Sequence, residues 1–258
     1  MITVELISDY IDRIAPYSTK CEWDNCGLLV GNKNDEVKRI GFCLDLTEET
    51  LNEANKNGVD LIVTHHPIIF KAQKNFLSGN MAYELAKSGI NAISAHTCFD
   101  CADGGVNDYL CTLLSVRNPV GIESAECIRP MARAGDIDSL TPEELARFVA
   151  QKLHTTVRLV GGKEKITRLA VCGGAGMSFI DDVIAAGAQG YVTGDISHHE
   201  MLDAKEKGLT VVAAGHFETE YYSMSALQKM INTEFSELET VLLSQSNPVR
   251  FISAIPHN

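Results

Sequence analysis

The chain of 258 residues has no apolar run approaching the roughly 20 residues that cross a bilayer. Its first residues, Met1-Ile2-Thr3-Val4-Glu5-Leu6, lack a basic stretch followed by a long apolar one. No secretory leader is therefore expected, and a cytoplasmic protein is. Basic residues are in deficit, with 22 Lys and Arg against 34 Asp and Glu and a net charge of −12. Non-specific nucleic-acid binding needs cations against phosphates, so nucleic acid is not an expected partner, and neither is an anionic membrane. A local basic pocket for a small phosphorylated ligand stays open. The cysteines also lack pattern. Eight are scattered from Cys21 to Cys172, and Cys98-Phe99-Asp100-Cys101 has no second CxxC to complete a structural zinc site. They are expected to be reduced thiols, several of them buried as small hydrophobes.

What is present is an ordinary globular composition, 45% hydrophobic and 22% charged, enough for one large domain or two modest ones. Residues 4–14 carry apolar positions at helical spacing, and Pro16 stops the run. Next comes Glu22-Trp23-Asp24-Asn25-Cys26-Gly27, which holds the only tryptophan. It reads either as an Asx-type turn pinned by a buried aromatic or as the lining of a site. Ile40–Asp45 is a strand, and Thr47 caps a helix running to about Asn57. Asp60–Val63 is a short buried strand, Met81–Lys87 a helix ended by Gly89, and Ala92–Ala95 the next strand. This alternation predicts a parallel sheet with right-handed crossovers.

From about Glu126 the pattern restarts, which suggests one lobe over 1–125 and a second over 126–258, with a C-terminal segment able to cross back. Thr141-Pro142-Glu143-Glu144 is a capping box opening a helix to about His154. A strand over 168–172 leads into Gly173-Gly174-Ala175-Gly176, a loop that could cradle phosphate but lacks the Walker lysine. Ser178 is expected to cap a helix to Ala186. Strands then end near Gly194 and Ala214, helices cover 200–207 and 222–234, and a closing strand is expected from Val249 to Ile255.

The chemistry gathers at strand ends. Val63-Thr64-His65-His66-Pro67 places two histidines just past a strand that Pro67 cannot continue, where open α/β sheets hold ligands. Residues 58–64 also resemble 187–193, and His96-x-x-x-Asp100 resembles His216-x-x-x-Glu220. Both of these later segments follow a strand that follows a glycine-ended helix. Two similar α/β lobes result, each presenting a histidine and a carboxylate. Imidazole plus carboxylate without thiolate suits zinc, iron, manganese or cobalt, and bridging carboxylates favour a metal pair.

Five segments, WDNCGLLVG (23–31), VTHHPIIFK (63–71), SAHTCFDCADGGVND (94–108), YVTGDISHHE (191–200) and AAGHFETE (213–220), make the sequence resemble a known family. These are the Nif-three-like proteins (Ngg1-interacting factor three), often labelled GTP cyclohydrolase I type 2 homologues. The resemblance implies two interlinked three-layer α/β lobes in the short form of the family. It also implies two divalent metal ions per chain (zinc, iron or manganese) between the lobes, and a homohexameric toroid built as a trimer of dimers. Carried over by motif, the metal ligands are His65, His66, Asp100, His216 and Glu220, with His96 outside the direct ligand set. Cys98 and Cys101 depart from the family pattern and could recruit a thiol to the metal.

A metal pair of this kind fits hydrolysis of a nucleotide such as GTP, with hydroxide attack at C8 of the purine, ring opening and loss of formate. Glu218, His96 and His199 are the candidate acid–base groups. Lys71 either meets a phosphate or is a surface lysine. A dinuclear phosphoesterase and a non-enzymatic metal-binding scaffold or regulatory interaction protein are the alternatives.

Overall fold

A computed structural model of the chain describes residues 1–125 and 127–252. In order, the first half contains α1 (Val4–Ile14), β1 (Gly27–Val30), β2 (Arg39–Cys43), α2 (Glu48–Lys56), β3 (Leu61–Thr64), α3 (Met81–Ser88), β4 (Asn91–Ser94), α4 (Thr97–Asp100) and α5 (Val106–Leu113). A hairpin, β5 (Arg117–Ile122) and β6 (Ala132–Leu140), leads into α6 (Pro142–Leu153), β7 (Arg158–Val160), β8 (Ile166–Cys172), α7 (Ile180–Ala185), β9 (Gly190–Thr193), α8 (His198–Glu206) and β10 (Thr210–Ala213). The chain then forms α9 (His216–Glu220), α10 (Ser223–Glu234) and β11 (Glu239–Leu242). None of the described helices is long and apolar enough to cross a membrane.

Local sequence explains most helix boundaries. Thr3 accepts a hydrogen bond from the Leu6 amide at the start of α1, whose Val4, Ile7 and Ile11 form the buried stripe. Thr47 and Thr50 form a reciprocal cap on α2, as Thr141 with Glu144 does on α6 and Ser197 with Glu200 on α8. Gly89 ends α3 in the left-handed conformation that a side chain would oppose.

The two sheets repeat one plan. In the first the order is β1-β4-β3-β2-β11, and in the second it is β5-β6-β8-β9-β10-β7. The parallel trio β2, β3, β4 matches β8, β9, β10, with Cys43, Thr64 and Ser94 in register in one and Cys172, Thr193 and Ala213 in the other. Antiparallel β1 flanks β4 just as antiparallel β7 flanks β10. The expected parallel core is present, and each sheet is mixed because short antiparallel strands protect or extend its edges.

Both faces of each sheet are covered, which gives three layers per lobe. Leu61 and Val63 of β3 pack on the α1 and α10 side, while Ile62 packs with Leu51, Ala54 and Leu85 on the other. Burying each of these leucine, isoleucine and valine side chains stabilises the fold by about 1.5–3 kcal/mol. In the second sheet Tyr191 and Val211 face one core, and Val192 and Val212 face the opposite one. The lobes are interlinked. On α5, Val106 packs in the first core while Leu110 and Cys111 pack in the second. After β10 the chain returns, α10 lies on the first lobe, and β11 pairs in parallel with β2.

Two element boundaries depart from expectation. Ser178 lies inside a turn of 3₁₀ helix and caps nothing, so α7 starts at Ile180. The closing strand lies at Glu239–Leu242, because Thr240 and Val241 register against Ile40 and Gly41 at the sheet edge. Residues 249–252 are not a strand. The remainder of the expected strand, 253–255, lies outside the described residues.

Candidate metal centre

The ends of β2, β3, β4, β9 and β10 converge between the lobes and bring five polar side chains together. His65 and His66 follow β3. Asp100 closes α4, and α9 presents His216 and Glu220 one helical turn apart. His65, Asp100 and Glu220 are almost fully buried, with exposures of 0%, 6% and 3%. Burying such groups is costly unless they are paired or bind a cation.

Glu220 divides its two oxygens between two donor sets. Its Oε2 lies 3.0 Å from His66 Nε2 and 3.1 Å from His216 Nε2. Its Oε1 faces His65 Nε2 at 3.9 Å, and Asp100 Oδ1 lies 3.5 Å from that same nitrogen. The buried atoms His65 Nε2 and Asp100 Oδ1 have no hydrogen-bond partner among the described residues. The sets His66, His216, Glu220 and His65, Asp100, Glu220 could each hold a metal ion, and His65, His66 and His96 form a third group of suitable spacing. None of these sets contains a thiol.

Each imidazole is held by its other nitrogen. His66 Nδ1 bonds Asp45 Oδ1 at 2.7 Å, His216 Nδ1 bonds Asp195 Oδ2 at 2.7 Å, and His96 Nδ1 bonds Asp24 Oδ1 at 2.8 Å. His65 Nδ1 donates to the Ala95 carbonyl at 2.9 Å. A donor to a carbonyl at Nδ1 leaves Nε2 as the free lone pair, the arrangement that orients a metal-binding histidine.

The electrostatics follow from this packing. Burial drives His65 down to about 3, so it is neutral. His66 is raised to about 10 and His216 to about 9. Burial opposes both shifts, but the carboxylates of Asp45 and Glu220, and of Glu220 and Asp195, outweigh it. Burial and the Glu220 charge raise Asp100 well above the usual carboxylate range. Burial opposes ionisation of Glu220 too, yet hydrogen bonds from His216 and His66 hold it below that range. With His66, His216 and Asp100 all raised, protons and a divalent ion would compete for this cluster.

The remaining candidates fall at different distances from the cluster. His96 sits beside it, its ring edge-on to those of His65 and His66 at 5.1 and 5.4 Å. Glu218 points to the far side of α9. There its Oε1 accepts from Asn247 Nδ2 at 2.7 Å, in a second cavity of about 520 Å³ that also touches His66 and His216. His199 is exposed near the start of α8, beside His198, and lines neither cavity. Lys71 is exposed and lines neither. Cys98 and Cys101 are buried in different cores, and neither belongs to a candidate donor set.

The glycine loop after β8 turns three of its amides into the protein rather than toward a phosphate. The amides of Gly173, Gly174 and Gly176 donate to Asn107, Thr219 and Thr193. Its glycine has a different use. Gly174 lies at φ +63°, and a Cβ there would stand 2.2 Å from Glu220 Oε1, so only glycine leaves room for the shared carboxylate. Sequence reasoning also missed Asp45 and Asp195. Both lie just past strand ends, which was the available signal.

The family profile of Duf34/NIF3 (NGG1p interacting factor 3) matches residues 2–248. The chain belongs to this family. A Clostridium perfringens relative named GTP cyclohydrolase 1 type 2 homolog is 31% identical, covering 95% of this chain and 98% of the relative. A Methanocaldococcus jannaschii relative of the same name is 32% identical over 92% and 97% of the two chains. Among solved structures, a Staphylococcus aureus hypothetical protein superposes with a TM-score of 0.89 at 27% identity, over 97% of this chain and 99% of its own. Reduced HcgD from Methanocaldococcus jannaschii superposes with a TM-score of 0.81 at 30% identity, over 95% and 98%.

Proposed function

We propose that this Duf34/NIF3 chain is a metal-dependent hydrolase that holds two divalent ions through the shared Glu220 and acts on a nucleotide such as GTP. The observation that carries the reading is the division of Glu220 between two donor sets, each with its own histidine and with two orphaned buried atoms in one of them. His66 and His216 would hold one ion, and His65 and Asp100 the other. A bound pair supplies Lewis acidity sufficient to bring the pKa of a water toward neutrality. The relatives' shared name supports a GTP cyclohydrolase type of reaction.

The protein's own groups have distinct duties in this reaction. Asp45 and Asp195 fix the rings of His66 and His216 so that their Nε2 atoms stay aimed inward. Asp24 holds His96 by Nδ1 and leaves its Nε2 toward the cavity, placed to pass a proton to or from the opening ring. The cavity beside the cluster, about 540 Å³, brings substrate against these donors and excludes bulk water from the buried oxygens.

The test is incubation of metal-reconstituted protein with GTP, scoring formate and phosphate separately, with Glu220→Ala as control. Formate from the parent chain alone supports ring opening. Phosphate without formate moves the assignment to a phosphoesterase. Neither product, with two ions per chain confirmed, removes GTP as the substrate and leaves a metal site whose task is still to be assigned.

A further inference from the structure

The chain's only tryptophan is not in the core. Trp23 is 60% exposed, and Phe70 beside it is 48% exposed, their ring centroids 5.7 Å apart and tilted by 56°. Both line the cavity that opens on the metal cluster, and His96 stands edge-on to Trp23 at 5.8 Å. Large rings left in water at a cavity mouth are a cost to the free protein that a ligand can recover.

The wall is built, and the three residues Trp23-Asp24-Asn25 build it. Trp23 supplies one ring. Asp24 is buried and ties the turn to the other lip of the cavity, accepting at Oδ1 from His96 and at Oδ2 from the Thr97 amide, 3.0 Å, and the Thr97 hydroxyl. Asn25 Nδ2 donates to the Ile69 carbonyl at 2.7 Å and so anchors the exposed loop that carries Phe70. Each side chain of the motif therefore holds one piece of an aromatic face.

The cations nearest that face, His66 and His216, are already paired with Asp45, Asp195 and Glu220. The cavity lining includes Asp45, Asp100 and Glu220 but no lysine or arginine among the described residues. Phosphate recognition by a protein wall uses such cations or free helix-end amides, and the amides of Gly173, Gly174 and Gly176 are already engaged. Aromatic faces instead stack any planar base.

We propose that this cavity recognises its substrate through a planar purine ring stacked on the Trp23–Phe70 face, with a nucleoside rather than a phosphate as the unit of recognition. The inference rests on the nucleotide reading above and narrows its substrate class. It places the heterocycle, not the phosphates, next to His96 and the metal donors.

Because Trp23 is the sole tryptophan, its fluorescence reports occupancy directly. The protein as purified is titrated with guanosine, with adenosine, and with ribose 5-phosphate, which carries sugar and phosphate without a base. Excitation at the red edge avoids purine absorbance. Saturable quenching by a purine nucleoside, with ribose 5-phosphate at least about tenfold weaker, is expected. Calorimetry on Trp23→Ala and on Phe70→Ala should show about tenfold weaker nucleoside binding, and Trp23→Phe should restore most of it. Circular dichroism on each variant excludes misfolding. Ribose 5-phosphate binding as tightly as guanosine, no binding of either nucleoside, or parent-like nucleoside binding by Trp23→Ala would overturn the proposal. Nucleoside binding without formate release sinks the ring-opening reading and leaves this one standing. Formate release that is indifferent to Trp23 does the reverse.

Discussion

The segments 96–100 and 216–220 share a sequence pattern, a histidine with a carboxylate four residues on, yet their backbones are one residue out of phase. The Ala95 amide donates to the Thr64 carbonyl, and the Ala214 amide donates to the equivalent Thr193 carbonyl. Aligned on those strands, His96 coincides with Gly215, both being helix N-caps, and His216 is the first residue of α9. One residue rotates a helical side chain by about 100°. His216 therefore stacks over Glu220 across one turn and shares its oxygen, while His96 turns away from Asp100 to the buried Asp24. A repeated motif thus yields one pair of donors and one histidine set aside for another task. Gly215, at φ +93°, makes the shift possible by adopting a cap conformation that a side chain resists.

The sharpest break in that comparison is at the two carboxylates. Glu220→Ala removes an oxygen from both donor sets and should take bound metal from two ions per chain to none, read by elemental analysis after dialysis. Asp100→Ala touches only the His65 set and should leave one ion per chain. Equal losses in the two variants would show that the carboxylates do not differ as their contacts indicate. The next largest contrast is between the histidines. His216→Ala should lose one ion. His96→Gln should keep both, because His96 lies outside the two donor sets that share Glu220, while formate release falls by at least about a hundredfold, within the usual range for an acid–base group. Retention of full turnover by His96→Gln would remove it from the proton path.

Much of this contrast was legible in the sequence, and the part that was not has a physical reason. The pairs His65-His66, His96-x3-Asp100 and His216-x3-Glu220 stand at strand ends because apolar runs such as Leu61–Val63 and Val211–Ala213 identify buried parallel strands unambiguously. The bounds of α1 follow from Thr3 and the stripe Val4, Ile7, Ile11. The edge strands do not announce themselves. Only four or fewer residues long, β1 and β7 are half-exposed, and β6 reads as polar in Asp136-Ile137-Asp138-Ser139 because its second half is partly exposed. Pairing partners decide such strands, and pairing is not local. That is also why local sequence suggests a closing strand at 249–255 while the pairing with β2 places β11 at Glu239–Leu242. The one-residue phase shift is invisible in the motif itself, since the spacing within each segment is the same. Likewise Asp24, Asp45 and Asp195 acquire their roles only when the fold delivers a histidine ring to each, and a place in a turn or just past a strand end is the only signal their local sequence carries.

The finest contrast lies in the carboxylates behind the two histidines. The Asp195 side chain is 56% exposed and has one evident task, the bond to His216 Nδ1. The Asp24 side chain is fully buried and accepts from His96, Thr97, the Asn25 amide and the Cys26 thiol. Burial opposes its ionisation, but the His96 and Thr97 contacts outweigh that and hold it below the usual carboxylate range. The two substitutions to asparagine should therefore separate. Asp195→Asn leaves stability within about 0.5 kcal/mol, as at most exposed positions, and weakens metal binding by about 10–100-fold through the loosened His216 ring. Asp24→Asn leaves metal affinity nearly unchanged, because His96 lies outside the two donor sets that share Glu220. It lowers stability by about 1–3 kcal/mol, since an amide cannot accept at both of its terminal atoms and one buried donor loses its partner. Denaturant unfolding and metal competition on the same two variants measure both axes. A loss of metal affinity in Asp24→Asn as large as that in Asp195→Asn would return His96 to the ligand set and erase the asymmetry between the halves.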